Sequence, residues 1–160
     1  MFKWLALAGV VWMIDRVTKG IVDSVMVLGQ EVSVLPVFSW VRLHNEGAAF
    51  SILATQGGWQ RWMLVVLAIA FSIYLVVEMR RLPATDRLLG WAYGLVLGGA
   101  LGNLWDRAVH GYVVDFALAH YDDHYFPAFN VADSAISIGA VLWIASMVRD
   151  SRRERAARTT

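Results

Sequence analysis

The stretch LLGWAYGLVLGGALGNLW, residues 88–105, decides the fold class. It contains no charged side chain, and a helix of roughly 20 mostly apolar residues is long enough to cross a bilayer. Glycine recurs at every fourth position, which places Gly90, Gly94, Gly98 and Gly102 along one helix face. Because a ridge of small residues lets a second helix approach closely, we expect this segment to be a tightly packed membrane span.

The composition of the whole chain agrees with a membrane protein. The 160 residues are 58% hydrophobic and 17% charged, with a mean hydropathy of +0.53. Soluble domains average about 45–50% apolar and about 25% charged residues, so the composition argues against a soluble domain and excludes a disordered chain. The absence of cysteine excludes a disulfide framework, a thiol nucleophile and a Cys-based zinc site. A formal net charge of +1 gives no indication of a nucleic-acid partner.

Four apolar segments predict a membrane all-α fold built as a single domain over residues 1–160. The spans are expected at about residues 4–26, 59–79, 88–106 and 131–149, followed by a basic, frayed tail at 150–160. The first segment is interpreted as a retained span, because no small-x-small cleavage site follows it. Alternation of apolar and polar residues over 31–53 predicts a small β-sheet between the first and second spans, at the membrane interface because strand edges cannot face hydrocarbon.

The distribution of basic residues predicts the orientation. Most of the 14 lie before the first span, between the second and third, or after the fourth: Lys3, Arg80, Arg81, Arg87, Arg149, Arg152, Arg153, Arg155 and Arg158. Because cytoplasmic segments carry the excess of Lys and Arg, both termini are expected in the cytoplasm. The small sheet is then extracytoplasmic.

Charged residues within the first span are candidates for function, because ionisable groups are costly inside a membrane. Asp15, Lys19 and Asp23 follow one another at intervals of four and therefore share a helix face. The favoured interpretation is a structural ion pair that fixes the first helix to its neighbours, with a direct catalytic role as the alternative.

Two further acidic residues, Asp115 and Asp133, have apolar neighbours. Taken alone, Asp133 would serve as a helix cap, since Asn130 is a good N-cap and puts this carboxyl in the first turn. Both acids are expected at the outer end of a helix, where they can face each other and share one proton. Such a pair suits acid/base hydrolysis, because the ionised member activates a water and the protonated member polarises the carbonyl and protonates the leaving amine.

Other polar groups leave alternatives open. Asn103 is expected to reach Asp106 and Arg107, either to end the helix or to bind ester and carbonyl oxygens of a ligand. His120 and His124 have metal-like spacing, but a solvated turn is the favoured interpretation and no metal is expected. The rival functions are a small ion transporter, which buried charges also indicate, and a structural membrane protein, which leaves both aspartates unexplained.

The chain resembles the bacterial lipoprotein signal peptidases. Five segments carry the resemblance in the same order, from the first span to the fourth: residues 15–19 (DRVTK), 45–51 (NEGAAFS), 98–107 (GGALGNLWDR), 113–116 (VVDF) and 126–136 (FPAFNVADSAI). Residue 16, which is often Gln in this family, is Arg here.

The resemblance implies an intramembrane aspartic endopeptidase of the bacterial inner membrane with Asp115 and Asp133 as the catalytic pair. The implied substrate is a prolipoprotein whose cysteine carries a diacylglyceryl group, and cleavage falls just before that cysteine. We expect a monomer without a cofactor, surrounded by membrane lipid and inhibited by cyclic peptides of the globomycin type. The residues implied to line or support the site are Asp15, Lys19, Asn45, Gly47, Asn103, Arg107, Asn130 and Ala132.

Overall fold

The computed structural model describes residues 1–47 and 58–158. Its helices are α1 (Phe2–Val25), α2 (Trp59–Arg81), α3 (Arg87–Val109) and α4 (Val131–Arg158). The four expected helices are therefore present, with ends displaced by at most three residues except at the end of α4. The prediction of a frayed tail was wrong as far as Arg158, because the segment SRRERAAR is rich in strong helix formers and continues α4.

Three of the helices, α2, α3 and α4, are long and apolar enough to cross a membrane, judged by length and composition over the described residues. Helix α1 is as long but falls outside this group, since charged residues interrupt its apolar sequence. Two of these, Asp15 and Lys19, are almost completely buried inside the bundle.

Helix α3 is the centre of the bundle, and the glycine ridge is where α1 packs against it. A Cβ added at Gly98 would lie 2.6 Å from the Val11 Cβ and 2.7 Å from the Ala8 carbonyl oxygen. A Cβ at Gly94 would lie 2.7 Å from the Leu7 side chain. The prediction that the ridge permits close helix approach is therefore confirmed.

A second face of α3 packs against α4 through further glycines. A Cβ at Gly139 of α4 would lie 2.6 Å from Val96 Cγ2 and 2.9 Å from the Ala92 carbonyl oxygen. Gly99 likewise lies directly against the Ala132 carbonyl. Helices α1 and α4 thus both pack closely against the backbone of α3. Polar side chains of the three helices can therefore contact one another in the buried part of the bundle.

A four-stranded antiparallel sheet covers the end of the bundle at which α1 and α3 end and α2 and α4 begin. Its strands are β1 (Glu31–Leu35), β2 (Phe38–Asn45), β3 (Val113–Tyr121) and β4 (His124–Tyr125), in that spatial order. The expected sheet is confirmed for β1 and β2, and the part of that expectation beyond residue 47 lies outside the described residues. Strands β3 and β4 were not foreseen, and they come from the connection between α3 and α4.

The expectation that Asp115 lies at a helix end was wrong, because Asp115 lies in β3. Gly111 adopts a φ of +91° directly after α3, a conformation that favours glycine and ends the helix. The following run of apolar and β-branched residues is short and closes at a turn near Asp122. Such a run fits a buried strand or a buried helix equally well by its sequence pattern.

Candidate active site

The site consists of two carboxyl groups that different elements bring together. Asp115 lies on β3 with 4% of its surface exposed, and Asp133 lies in the first turn of α4. For Asp115, Oδ1 accepts a hydrogen bond from Asn130 Nδ2 at 2.7 Å and Oδ2 accepts one from Asn45 Nδ2 at 3.0 Å. For Asp133, Oδ1 accepts from Asn103 Nδ2 at 2.8 Å and Oδ2 from the Asn130 backbone N–H at 3.2 Å.

All four carboxyl oxygens therefore accept a hydrogen bond from an asparagine, and this fixes the orientation of both groups. Asn130 contacts both carboxyls, and its Oδ1 also accepts a hydrogen bond from the Asp133 backbone N–H at 2.9 Å. This reciprocal pairing is a capping box at the start of α4. Asp133 thus caps the helix, as its position predicts, while its Oδ1 accepts the hydrogen bond from Asn103 of α3.

The two carboxyls are close enough to influence each other's charge. Burial is the main cause that raises the pKa of Asp115 to about 6, and the negative charge of Asp133 raises this pKa further. Hydrogen bonds from Asn45 and Asn130 oppose that shift without cancelling it. Asp115 therefore keeps its proton at pH values at which an ordinary aspartate is ionised, which is a property of a group that can donate a proton in catalysis.

Lys19 connects α1 to this site. Its Nζ lies 2.8 Å from Asp15 Oδ2, 2.8 Å from Asp106 Oδ2 and 3.0 Å from Asn103 Oδ1, and only 1% of the side chain is exposed. Lys19 thus forms ion pairs with two carboxylates and donates a hydrogen bond to Asn103. The predicted ion pair between Asp15 and Lys19 is present.

The third contact of Lys19 gives this ion pair a second effect. Because Lys19 holds the Asn103 oxygen, the Asn103 Nδ2 points the other way and donates to Asp133. Asp15 reaches the same region separately, since its Oδ1 accepts a hydrogen bond from the backbone N–H of the buried Ala132. The charged residues of α1 therefore orient the residues that hold Asp133.

The expectation for Asn103 is confirmed in part. Arg107 Nη1 donates to the Asn103 carbonyl at 3.4 Å, whereas the Asn103 side chain contacts Lys19 and Asp133. Asp23, on the same face of α1 as Asp15 and Lys19, pairs with Arg42 of β2 at 2.9 Å.

Asp106, which is fully buried, has a second cationic partner besides Lys19. Arg16 forms an ion pair with Asp106 Oδ1. The arginine that departs from the family pattern thus balances a buried charge. Neither contact was foreseen from the sequence, because 90 residues separate Arg16 from Asp106.

Arg107 links α3 to the end of β2. Its Nη2 donates to the Gly47 carbonyl at 2.9 Å, and the Gly47 N–H donates to Asn45 Oδ1 at 3.1 Å. The guanidinium is also near enough to interact electrostatically with Asp133 and Asp115. It therefore places a positive charge beside the pair and fixes the strand end that supplies Asn45.

Arg61 supports the site from α2 and was missed as a supporting residue. Its Nε donates to the Arg107 carbonyl and its Nη2 to the Ala108 carbonyl, both at 2.8 Å. These bonds satisfy carbonyl groups at the end of α3 that have no partner within the helix. The sequence signal was a single charged residue at the start of an apolar span.

The histidine pair that resembles a metal site lies on the β3–β4 hairpin. His120 Nε2 and the buried Ser39 Oγ are 3.1 Å apart, and His120 pairs across the hairpin with Tyr125 rather than with His124. Within residues 1–47 and 58–158, no group of three or more His, Cys, Asp or Glu side chains is arranged to hold a metal ion.

Comparisons with known proteins agree on one family. The sequence profile of the signal peptidase (SPase) II family matches residues 7–149. The lipoprotein signal peptidase of Pseudomonas fluorescens is 48% identical over 151 residues, which is 93% of this chain and 89% of that protein. The enzyme of the same name from Pseudoalteromonas translucida is 50% identical over 139 residues, covering 87% of this chain and 84% of the relative.

A solved structure has the same fold. It is described as a bacterial membrane enzyme determined by the in meso method at 2.3 Å resolution. It superposes with a TM-score of 0.85 and 31% sequence identity, covering 94% of this chain and 90% of the other.

Proposed function

This chain belongs to the signal peptidase II family, and on that premise we propose that it is an intramembrane aspartic endopeptidase. It removes the signal peptide from diacylglyceryl-modified prolipoproteins and cleaves just before the lipidated cysteine. The observation that carries the proposal is the carboxyl pair of Asp115 and Asp133, in which every oxygen accepts a hydrogen bond and one member has a raised pKa.

In the proposed mechanism the two carboxyls play opposite roles. Asp133 is ionised and takes a proton from a water molecule, whose oxygen attacks the carbonyl carbon of the scissile bond. Asp115 is protonated and donates a hydrogen bond to the carbonyl oxygen, which becomes negative as the tetrahedral intermediate forms. The C–N bond then breaks as Asp115 gives its proton to the leaving nitrogen, while Asp133 keeps the proton taken from water, so the pair again holds one proton. The cysteine is released with a free amino group, and the signal peptide with a new carboxyl group.

The supporting residues keep these roles distinct. Asn45 and Asn130 hold the Asp115 carboxyl while Asn103 and Asn130 hold that of Asp133. Lys19 and Asp15 act through Asn103 and through the backbone of Ala132. Arg107 and Gly47 fix the end of β2, and the guanidinium stabilises negative charge at the pair. Residues 48–51 of the same motif lie outside the described residues.

We propose four membrane spans, with α1 as the first. From Ala6 to Ile21 the exposed residues of α1 are apolar or glycine, and they include Val10, Met13 and Val17, each about half exposed or more. Since the charges of Asp15 and Lys19 are buried against α3, the surface that faces lipid can cross the membrane.

The orientation follows from the basic residues and from the place of the site. Both termini lie in the cytoplasm, and the sheet and the carboxyl pair lie near the outer face of the bacterial inner membrane. The signal helix of the substrate lies in the membrane beside the spans, with its acyl chains in lipid. The enzyme works as a monomer, and cyclic peptides of the globomycin type block the site.

The substrate is tested by comparing two forms of one prolipoprotein with the purified enzyme. The lipidated form is expected to yield a product that begins at the diacylglyceryl cysteine with a free amino group, as mass spectrometry would detect. Cleavage of the form without lipid is expected to be at least about tenfold slower. Equal cleavage of both forms, or a cut at another bond, would contradict the proposed substrate.

A further inference from the structure

Helices α1 and α2 both pack against α3 and leave a groove between them. The groove has a volume of about 550 Å³, and all three helices contribute to its walls. Residues of α3 between 97 and 108 form the floor, residues of α1 between 5 and 12 form one wall, and Val65 and Ile69 of α2 form the other. Every lining residue is apolar or glycine, and none of them belongs to the carboxyl-pair site.

The dimensions of the groove fit one hydrocarbon chain better than a helix. The floor extends about 16 Å along α3 at about 1.5 Å per residue, which is about half of the roughly 30 Å hydrocarbon core. Spread over this length, the volume gives a mean cross-section of about 33 Å², whereas a helix about 10 Å in diameter needs at least about 80 Å². The groove therefore has the length of one membrane leaflet and is too narrow for a helix of a second copy.

The groove is open on the side that faces lipid. Ile69 and Trp105 are 44% and 46% exposed, and Gly9 on the α1 wall is exposed as well. A Cβ added at Gly9 would meet nothing within 4 Å, so the wall is low at this position and a chain can reach the floor. Because the surface of a membrane span is covered by lipid tails, hydrocarbon is the natural occupant.

One end of the groove carries a positive charge. Arg61 precedes Val65 and Ile69 at intervals of four and therefore shares their face of α2. Its Nη2 donates to the carbonyl of Ala108, the last floor residue, so Arg61 lies at the end of the groove near the sheet. The hydrogen-bond acceptors of Arg61 are neutral carbonyls, and no carboxylate of residues 1–47 and 58–158 pairs with it, so its charge is not neutralised.

The other wall adds no net charge at this end, because Arg16 of α1 is paired with Asp106. Tryptophans lie beside both guanidinium groups. Trp105 lies 6.0 Å from that of Arg16, and Trp62 lies 4.9 Å from that of Arg61, and both rings are about half exposed or more. Since tryptophan is enriched at the membrane–water interface, Arg61 lies at the level of the lipid headgroups.

We propose that this groove binds a phospholipid of net negative charge from the outer leaflet, with one acyl chain along α3 and its phosphate beside Arg61. A basic side chain attracts an anionic headgroup through space, so the two hydrogen bonds of Arg61 to carbonyls can persist. A soluble anion would leave the apolar length of the groove uncovered, and a neutral lipid would not use the charge of Arg61.

The test counts lipids bound to the purified protein by native mass spectrometry, with phosphatidylglycerol or phosphatidylcholine added to the detergent. The wild type is expected to bind one phosphatidylglycerol about fivefold more tightly than phosphatidylcholine. In Gly9→Leu the new side chain fills the groove, so this variant should lose the lipid at a concentration that saturates the wild type. The matched control is Gly20→Leu on the same helix, where a Cβ also meets nothing within 4 Å, and it should bind as the wild type does.

A second pair of variants tests the charge. Arg61→Gln should lose the fivefold preference for phosphatidylglycerol while the groove still holds a lipid, and Arg61→Lys should keep the preference. The exposed Arg80→Gln, at the other end of α2, should also keep it. Circular dichroism checks that each variant stays helical.

Three results would overturn the proposal. Gly9→Leu could bind phosphatidylglycerol as the wild type does or Gly20→Leu could lose it equally, and the lipid would then lie elsewhere. Arg61→Gln could keep the full preference for phosphatidylglycerol, and the charge of Arg61 would then have no part in binding. The mass of a dimer that Gly9→Leu abolishes would show that a second copy covers the groove instead.

Discussion

At the residue scale the site depends on a buried acid, Asp115, that two asparagines orient. Asp115 is held by amide donors, with no ion pair to a cation in the described part of the chain, so burial and the charge of Asp133 prevail and its pKa stays raised. Lys19 and Arg107 do not contact the carboxyls directly; they contact Asn103 and Gly47, which lie between. Asp115 can therefore remain protonated, while the two positive charges stabilise the negative charge of Asp133 from a distance.

The raised pKa predicts how stability depends on pH. Because the pKa of Asp115 is about 6 in the folded protein against an ordinary 3.8, the unfolded chain loses this proton first, and the folded state loses stability as pH rises from about 4 to about 6. The full penalty is on the order of 3 kcal/mol, at about 1.4 kcal/mol per unit of pKa, and about half of it falls above pH 5. Asp115→Asn should therefore gain thermal stability relative to the wild type between pH 5 and pH 8 in detergent.

Only the change in this difference with pH is diagnostic, since the amide loses one hydrogen bond at every pH. The exposed Asp123→Asn serves as control and should show no comparable change between the two pH values. If the difference between Asp115→Asn and the wild type stays constant from pH 5 to pH 8, the raised pKa of Asp115 is wrong.

At the element scale, the helices could be predicted from the sequence and the strand that carries Asp115 could not. The helices are long apolar segments, and the periodic glycines of α3 indicate close helix packing. Strand β3 is a short apolar run, and its conformation is set by pairing with β2, from Phe38 opposite Ala119 to Asn45 opposite Val113. A pairing partner about 70–80 residues away leaves no local signal.

The role of α1 could also be predicted only in part from the sequence. Asp15 and Lys19 make α1 less apolar than the other helices, although both side chains are buried against α3 and do not face lipid. Their spacing indicated that they form an ion pair, and the resemblance placed them at the site. Their partners Asp106 and Asn103 become apparent only when α1 and α3 pack together, so the sequence could not reveal how Lys19 orients Asn103.

The glycine ridge gives a prediction at this scale. In Gly98→Ala the new Cβ would meet Val11 Cβ at 2.6 Å and the Ala8 carbonyl oxygen at 2.7 Å, so α1 must move away from α3. Overpacking of this kind costs about 1–3 kcal/mol, and the shift also moves Lys19 relative to Asn103. We expect a lower unfolding temperature and reduced peptidase activity in the same purified variant.

Helix α1 supplies the matched control for this prediction. A Cβ added at Gly20 meets nothing within 4 Å, so Gly20→Ala should retain the stability and activity of the wild type. Wild-type behaviour of Gly98→Ala would mean that the two helices do not pack as described.

At the scale of the whole molecule, most of the basic residues lie at the end of the bundle opposite the site. Sheet and carboxyl pair occupy one end, whereas the contact of Arg149 with Asp86 and the basic extension of α4 occupy the other. Four spans place both termini on the basic side. Three spans would put the two termini on opposite sides, so the sidedness of the N-terminus decides whether α1 crosses the membrane.

The chain contains no cysteine, so single-cysteine variants report sidedness cleanly. In intact cells a membrane-impermeant maleimide should label Asp123→Cys on the β3–β4 hairpin and leave Lys3→Cys unlabelled until the cells are opened. A reporter fused after Thr160 should behave as cytoplasmic. Labelling of Lys3→Cys from outside would show that α1 does not span the membrane.

The most direct measurement is the cleavage rate of a lipidated prolipoprotein by purified Asp115→Asn and Asp133→Asn. Each substitution keeps the size of the side chain and removes one member of the acid/base pair, so each should lower the rate at least about a hundredfold. The exposed Asp123→Asn, in the turn between β3 and β4, should cleave at the wild-type rate. Near wild-type turnover by either site variant, in protein that is still folded, would contradict catalysis by these two carboxyls.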